Sequence, residues 1–216
     1  MSDNQKILVT GGTGFIGSHT VVELINSGYE PVIIDNFSNS ERRILKGLKE
    51  ITGKEISFYE GDCRDKEKLN SIFKTEKNIR GVIHFAAYKA VGESVQEPLK
   101  YYTNNIESLA ALLETMKQNG VDQLVFSSSC TVYGQPEKLP VTEESPMMMP
   151  FSPYGKTKLF CENIISDMIY VNPQMKAISL RYFNPIGAHP SGKIGELPLG
   201  RPNNLLPYIT QSAAGL

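Results

Sequence analysis

Tyr154 and Lys158 stand four residues apart in Tyr154-Gly155-Lys156-Thr157-Lys158. On a helix they lie one turn apart and face the same way. A free tyrosine has a pKa of about 10 and is a poor base at neutral pH. A neighbouring ammonium favours the phenolate and lowers that value, which suits Tyr154 to proton abstraction. Such a base needs a partner that holds the reacting oxygen. Ser127-Ser128-Ser129-Cys130-Thr131 offers hydroxyls where an apolar run ends, and a hydroxyl there can hold the reacting oxygen beside the tyrosine. Cys130 has no His or cationic neighbour in sequence, so it reads as a packing residue rather than a thiolate nucleophile.

A second kind of chemistry lies near the N-terminus. Gly11-Gly12-Thr13-Gly14-Phe15-Ile16-Gly17 places Gly11, Gly14 and Gly17 three apart, directly after the apolar run Lys6–Thr10. Glycines at that spacing let backbone approach a pyrophosphate and put its charge at a helix N-terminus. Asp35 closes the next apolar run, 18 residues beyond Gly17. A carboxylate about 20 residues on accepts from a ribose 2′-hydroxyl and repels a 2′-phosphate, which favours NAD over NADP. Asp62 follows a third run and is placed to reach an adenine amino group or to cap a turn. Phe85-Ala86-Ala87 ends a fourth run with small residues that let a flat cofactor lie close. Lys89 beyond them can meet a phosphate or a ribose, and Lys158 a nicotinamide ribose.

These groups need a scaffold that brings strand ends to one edge. Short apolar runs at 6–10, 31–35, 56–60, 81–85, 123–128 and 176–181 read as strands. Between them, 14–27, 65–75, 98–118 and 153–171 carry helical periodicity, with a late helical start at 206–214. Pro98 opens the longest helix and Asn119-Gly120 follows it, the expected asymmetry of helix ends. Apolar strands alternating with helices predict an α/β fold: a Rossmann-type, doubly wound parallel sheet with helices on both faces. The division expected is a dinucleotide-binding domain over 1–182 and the start of a smaller, incomplete substrate-binding region over 183–216, where Pro-containing loops take over.

Composition narrows the partners. Lys and Arg number 22 against 23 Asp and Glu, a net charge of -1 with no run of five like charges, which gives no footprint for nucleic acid. The longest apolar run, Leu109–Leu113, is far short of the roughly 20 residues that span a bilayer. The three cysteines and three histidines fit neither disulfide nor metal spacing, so no metal is expected. A cytoplasmic chain is the default reading.

The sequence resembles the extended short-chain dehydrogenase/reductase superfamily and, within it, the UDP-glucose 4-epimerases. The resemblance rests on Thr10–Thr20, Asp35–Ser40, Lys89–Ser94, Tyr101–Asn105, Ser127–Gly134, Ser152–Lys158, Leu180–Pro190 and Pro202–Tyr208. It implies that Ser129, Tyr154 and Lys158 are catalytic. It implies NAD contacts at Phe15, Ile16, Asp35, Asn36, Phe37, Ser38, Asn39, Ser40, Asp62, Cys63, Phe85, Ala86, Lys89, Asn104 and Phe183. It implies UDP-hexose contacts at Ser129, Tyr154, Asn184, Asn203, Asn204 and Leu205. The implied reaction is interconversion of UDP-glucose and UDP-galactose through transient oxidation at C4, in a homodimer when full length. The helices at 98–118 and 153–171 would pair across its two-fold axis, with Leu109, Leu112, Leu113 and Met116 as surplus apolar groups. Cys130 stands where the family usually has alanine, and Leu197 replaces an acid. Family chains continue past residue 216, so Leu199, Leu205, Leu206, Tyr208 and Ile209 are expected to lack covering chain, and residues 1–216 alone to turn over slowly or not at all.

Two other readings share the scaffold. A sugar-nucleotide 4,6-dehydratase resembles its relatives in an Asp-Glu pair after the fifth-strand hydroxyl, and this chain has Cys130-Thr131 there; a UDP-glucuronate decarboxylase stands with it. An inactive NAD-binding fragment is the reading outside enzymes, and intact Ser129, Tyr154 and Lys158 argue against it.

Overall fold

The computed structural model describes residues 5–199, 202 and 204–215. Six strands form one sheet: β1 Lys6–Thr10, β2 Glu30–Asp35, β3 Ser57–Glu60, β4 Ile79–His84, β5 Gln123–Ser129 and β6 Lys176–Tyr182. Their order is β3-β2-β1-β4-β5-β6 and every pairing is parallel. Winding reverses between β1 and β4, so a crevice opens there at the carboxyl ends of the strands.

The helices are α1 Phe15–Asn26, α2 Arg43–Thr52, α3 Lys66–Thr75, α4 Val91–Gln96, α5 Pro98–Gln118, α6 Pro153–Val171 and α7 Leu205–Ala213. Alternate residues of the central strands feed two cores. Leu8, Val32 and Ile34 pack with Leu69 and Ile72 of α3, Leu109 and Leu112 of α5, and Ile165 of α6. Val9 and Ile33 pack on the other face with Val21 and Val22 of α1, and Ile44 and Leu48 of α2. Helix ends follow local chemistry. Asp65 caps α3 by accepting from the Lys68 N–H at 2.9 Å. Ser152 caps α6 by accepting from the Gly155 N–H at 3.1 Å, with Pro153 in the first turn.

The structure departs from the sequence reading in four places. Helix α2 had no counterpart, although Ile44, Leu48 and Ile51 recur at helical spacing. Gly47 interrupts that stripe because the Lys193 carbonyl comes so close that a Cβ there would meet it at 2.8 Å. The short α4 also had none. Leu109, Leu112, Leu113 and Met116 are not surplus: all four are buried in the monomer core, so they say nothing about assembly. Finally, β6 is not buried on both faces. It is an edge strand, and Ile178 and Leu180 stay exposed on it.

Residues beyond β6 leave the far edge of the sheet and return across it. Ile194 is buried against Ile44 and Leu48, Lys193 pairs with Glu50 at 2.5 Å, and Ala188 bridges Gly195. This strap brings Glu196 to 3.4 Å from Lys89. Leu199, Leu205, Tyr208 and Ile209 are exposed as expected, whereas Leu206 is half-buried.

Candidate active site

The glycine segment turns from β1 into α1. Gly11 has φ +68, and a Cβ there would meet the Ala86 backbone nitrogen at 2.8 Å. Only a residue without a side chain lets β1 and β4 part at that width. A Cβ on Gly17 would sit 2.2 Å from the Gly11 carbonyl oxygen. Gly14 precedes α1 with no side-chain cap, and the first turn holds no acid. The N–H groups that begin α1 are therefore unclaimed by any side chain among the described residues, and they suit a diphosphate.

Asp35 ends β2 beside this segment. Its carboxylate accepts from the Thr13 N–H at 3.1 Å, the Phe37 N–H at 2.9 Å and the Ser40 hydroxyl at 3.2 Å. Phe37 takes φ 55 to make that bend, and Arg42 lies over its ring. Asn36, Ser38 and Asn39 face solvent along the same loop. Phe15 and Ile16 open α1 half-buried. Asp62 receives a two-pronged contact from Arg64 at 3.0 and 2.8 Å, which holds its carboxyl below the ordinary range. Its reach toward an adenine is thus shared with Arg64 and Asn36. Burial pushes the neighbouring Cys63 thiol up to about 12, so it packs and does not react.

At the end of β4, the Ala86 N–H donates to the Thr10 hydroxyl at 3.2 Å, and that hydroxyl meets His84 Nδ1 at 2.7 Å. Burial, then the Lys158 charge, press His84 down to about 3, so it is neutral. Phe85, Ala86 and Ala87 line the crevice edge half-buried. Asn104 donates to Asn105 at 3.0 Å, and Asn105 in turn grips the Tyr88 backbone and the Thr157 hydroxyl.

The catalytic candidates meet where β5 ends. Ser129 Oγ accepts from the Thr131 N–H at 3.2 Å and the Thr131 hydroxyl at 3.0 Å. Both of these bonds come from Thr131, and the Ser129 hydroxyl favours the ionised form of the Tyr154 phenol. Gly155, beside Tyr154, lets this turn lie close: a Cβ there would meet Pro150 at 2.6 Å and Thr131 at 3.2 Å. Lys158 is fully buried and donates to the Ser127 carbonyl at 2.7 Å.

One electrostatic expectation is overturned. Burial raises the Tyr154 pKa, Ser129 pulls it back, and Cys130 raises it further. The Lys158 nitrogen lies 6.0 Å from the tyrosine ring centroid and is spent on a carbonyl. Burial also draws Lys158 itself down to about 8, which weakens it as a fixed cation.

Toward the substrate side, Phe183 and Asn184 are exposed just past β6. Asn204 donates to Glu196, whose other oxygen is buried without a partner among the described residues, and Leu205 is exposed. Asn203 lies outside the described residues. Thr131, Gly155 and Asn105 stand within the motifs of the sequence analysis without a role assigned to them, and Glu196 has none there; a Thr two residues from Ser129 and a Gly beside Tyr154 are the legible signals.

Comparison with known proteins agrees with this geometry. The NAD dependent epimerase/dehydratase family matches residues 7–213. The UDP-glucose 4-epimerase of Neisseria meningitidis serogroup B is 59% identical over 98% of this chain and 62% of its own length. That of Bacillus subtilis is 56% identical over the same shares, 98% and 62%. A crystal structure of UDP-glucose 4-epimerase from Bifidobacterium longum, in complex with NAD+ and UDP, superposes with a TM-score of 0.95 at 48% identity, covering 98% of this chain and 63% of that one. The chain spans about 62% of the length of these curated relatives. It belongs to the NAD dependent epimerase/dehydratase family.

Proposed function

We propose that this protein interconverts UDP-glucose and UDP-galactose, using NAD that stays bound through the cycle. The observation that carries the reading is the convergence of Ser129, Tyr154 and Lys158 at the end of β5, beside the glycine cradle at the β1–β4 switch point. The names of the Neisseria and Bacillus relatives support it. The uncapped start of α1 suits a diphosphate, and the Asp35 carboxylate beside it suits an adenosine ribose, so the residues present fit the dinucleotide. We assign it Gly11, Gly14, Phe15, Ile16, Gly17, Asp35–Ser40, Asp62, Cys63, Phe85, Ala86, Ala87, Lys89, Asn104 and Phe183. We assign the sugar nucleotide Asn184, Asn203, Asn204 and Leu205, and divide the chain at residue 182.

When bound, the dinucleotide supplies a hydride acceptor for C4 that can also return the hydride. Tyr154 removes the proton of the sugar 4-hydroxyl through its phenolate form, which Ser129 favours against the opposing effect of burial. Ser129 donates its hydroxyl proton to the sugar oxygen and holds it at the tyrosine. Lys158 braces the end of β5 through the Ser127 carbonyl. Tyr154 gives the proton back when hydride returns to the opposite face, so the cycle is redox-neutral. A dehydratase needs a carboxylate beside the fifth-strand hydroxyl, and Cys130-Thr131 provides none.

Conversion of UDP-galactose by the purified protein at the full length of its relatives, loaded with NAD or with NADP, tests the reading. Turnover is expected with NAD and not with NADP, because Asp35 repels a 2′-phosphate. No conversion by a protein that has bound NAD would overturn the activity; equal rates with both would overturn the role of Asp35.

A homodimer through α5 and α6 is also proposed. Leu99 and Tyr170 on these helices are exposed, at 78% and 88%. Light scattering at micromolar concentration should return twice the chain mass, and a monomer mass would count against it.

A further inference from the structure

A buried ion pair sits behind the candidate catalytic serine and is not used in the steps above. Glu162 lies on α6, four residues after Lys158 and eight after Tyr154, so all three share one helix face. Its side chain is only 8% exposed. Arg181 of β6 reaches it from the sheet, with Nε at 3.1 Å from one carboxylate oxygen and a terminal nitrogen at 2.8 Å from the other. The Ser128 hydroxyl donates to the same carboxylate. The other terminal nitrogen of Arg181 donates to the Tyr133 hydroxyl at 2.9 Å, and the guanidinium lies 4.8 Å from the centroid of that ring.

The Glu162–Arg181 pair therefore ties together four pieces of chain. They are the helix that bears Tyr154, the end of β5 that bears Ser129, the 3-10 turn at Cys130–Tyr133 that supplies Thr131, and the edge strand β6. Ser128 is adjacent to Ser129, so whatever holds Ser128 to α6 also sets where Ser129 stands against Tyr154. A surface ion pair would matter little; this one is buried and two-pronged, and removal of one partner leaves a charge in the interior.

We infer that Glu162, compensated by Arg181, is a positioning residue that fixes Ser129 against Tyr154 by clamping the end of β5 to α6. This rests on the proposed roles of Ser129 and Tyr154. The clamp acts on distance and not on binding: neither residue borders the glycine cradle, and both lie behind the strand end rather than in the crevice. In Glu162→Gln the amide can still accept one hydrogen bond, but its NH2 faces donors and the guanidinium loses its counter-charge. The end of β5 then relaxes away from α6. Displacements of about 1 Å from remote substitutions can cost about 100-fold in rate.

Two measurements on Glu162→Gln and Ser128→Ala separate positioning from a general loss of structure. The first is conversion of UDP-galactose. Turnover in Glu162→Gln is expected to fall about 10- to 100-fold, with KM and NAD affinity within about threefold of the parent. The second is the near-ultraviolet phenolate titration of Tyr154, obtained by difference against the same protein carrying Tyr154→Phe; it needs no turnover. Ser129 lowers the Tyr154 pKa, while burial and Cys130 raise it, so loosening Ser129 moves the titration to higher pH. Ser128→Ala removes a single hydroxyl and strands no charge, so it keeps the fold. It should give a smaller shift in the same direction. An unmoved Tyr154 titration in folded Ser128→Ala and Glu162→Gln would overturn the proposal, as would turnover within twofold of the parent. If the parent itself fails to convert UDP-galactose, the functional reading fails, and the titration still decides whether Glu162 holds Ser129 to Tyr154.

Discussion

Replacing Tyr154 with Phe should remove turnover by about 10²- to 10⁴-fold, the contribution of a positioned proton-transfer group. The substitution deletes one oxygen and keeps the ring. The ring keeps its place beside Lys158, so fold and NAD affinity should change little. The loss belongs in kcat, because the oxygen acts on the proton of the reacting hydroxyl and not on the remainder of the substrate. Ser129→Ala should be milder, since Tyr154 would still reach the 4-hydroxyl without its guide. Steady-state rates of UDP-galactose conversion, beside calorimetric NAD affinity, check both claims. A Tyr154→Phe protein that keeps turnover within about threefold of the parent, far from the loss expected of an acid-base group, would sink the assignment.

Gly17→Ala should cost more at the cofactor than its single methyl suggests. The new Cβ would lie 2.2 Å from the Gly11 carbonyl oxygen and 2.9 Å from the Gly12 Cα, both backbone atoms that cannot swing aside. The start of α1 must move outward, and its unclaimed N–H groups turn with it. Overpacking of this kind costs about 1–3 kcal/mol. If that cost falls on the bound form, NAD affinity drops about 5- to 150-fold, at about 1.4 kcal/mol per factor of ten. Gly28→Ala is the control. Gly28 has φ +86 with nothing within 4 Å of its Cβ position, so a substitution there strains a turn without touching the cradle. Calorimetry on the two variants should show weakened NAD binding for Gly17→Ala alone. Affinity in Gly17→Ala within about threefold of the parent would mean that the cradle tolerates the shift and that α1 is not held where the diphosphate needs it.

Much of this architecture is legible in the sequence because it is local. Strand ends, glycine spacing and the Tyr154–Lys158 interval are properties of short windows, and their placement on one sheet edge follows from parallel winding. What stays hidden depends on distance along the chain. Arg181 reads as a charge inside a strand until its strand lands beside α6. Glu162 reads as a solvated helix position until Arg181 and Ser128 meet it. The direction of the Tyr154 shift was misread for a related reason: the interval to Lys158 is visible in sequence, but the Ser127 carbonyl that engages the ammonium, and the burial that weakens it, are not. Helix α2 was overlooked although its apolar spacing is present, because Gly47 breaks the stripe for a partner nearly 150 residues away.

The central position of β1 also bears on how the chain folds. Lys6 aligns with Glu30 on one side and with Ile79 on the other. The first pairing closes a loop about a third as long as the second. Closing the longer one costs about 1 kcal/mol more in chain entropy, because the cost grows only with the logarithm of length. Non-local pairing of this kind also slows folding. The β1–β2–β3 half can thus assemble from near neighbours, whereas the junction of β1 with β4 waits on a distant segment. That junction is where Gly11 meets Ala86. By loop-closure entropy the dinucleotide crevice is expected to form later than the β1–β2–β3 half. A ligand seated there can stabilise the finished sheet by mass action, but it has no surface on which to guide the earlier steps.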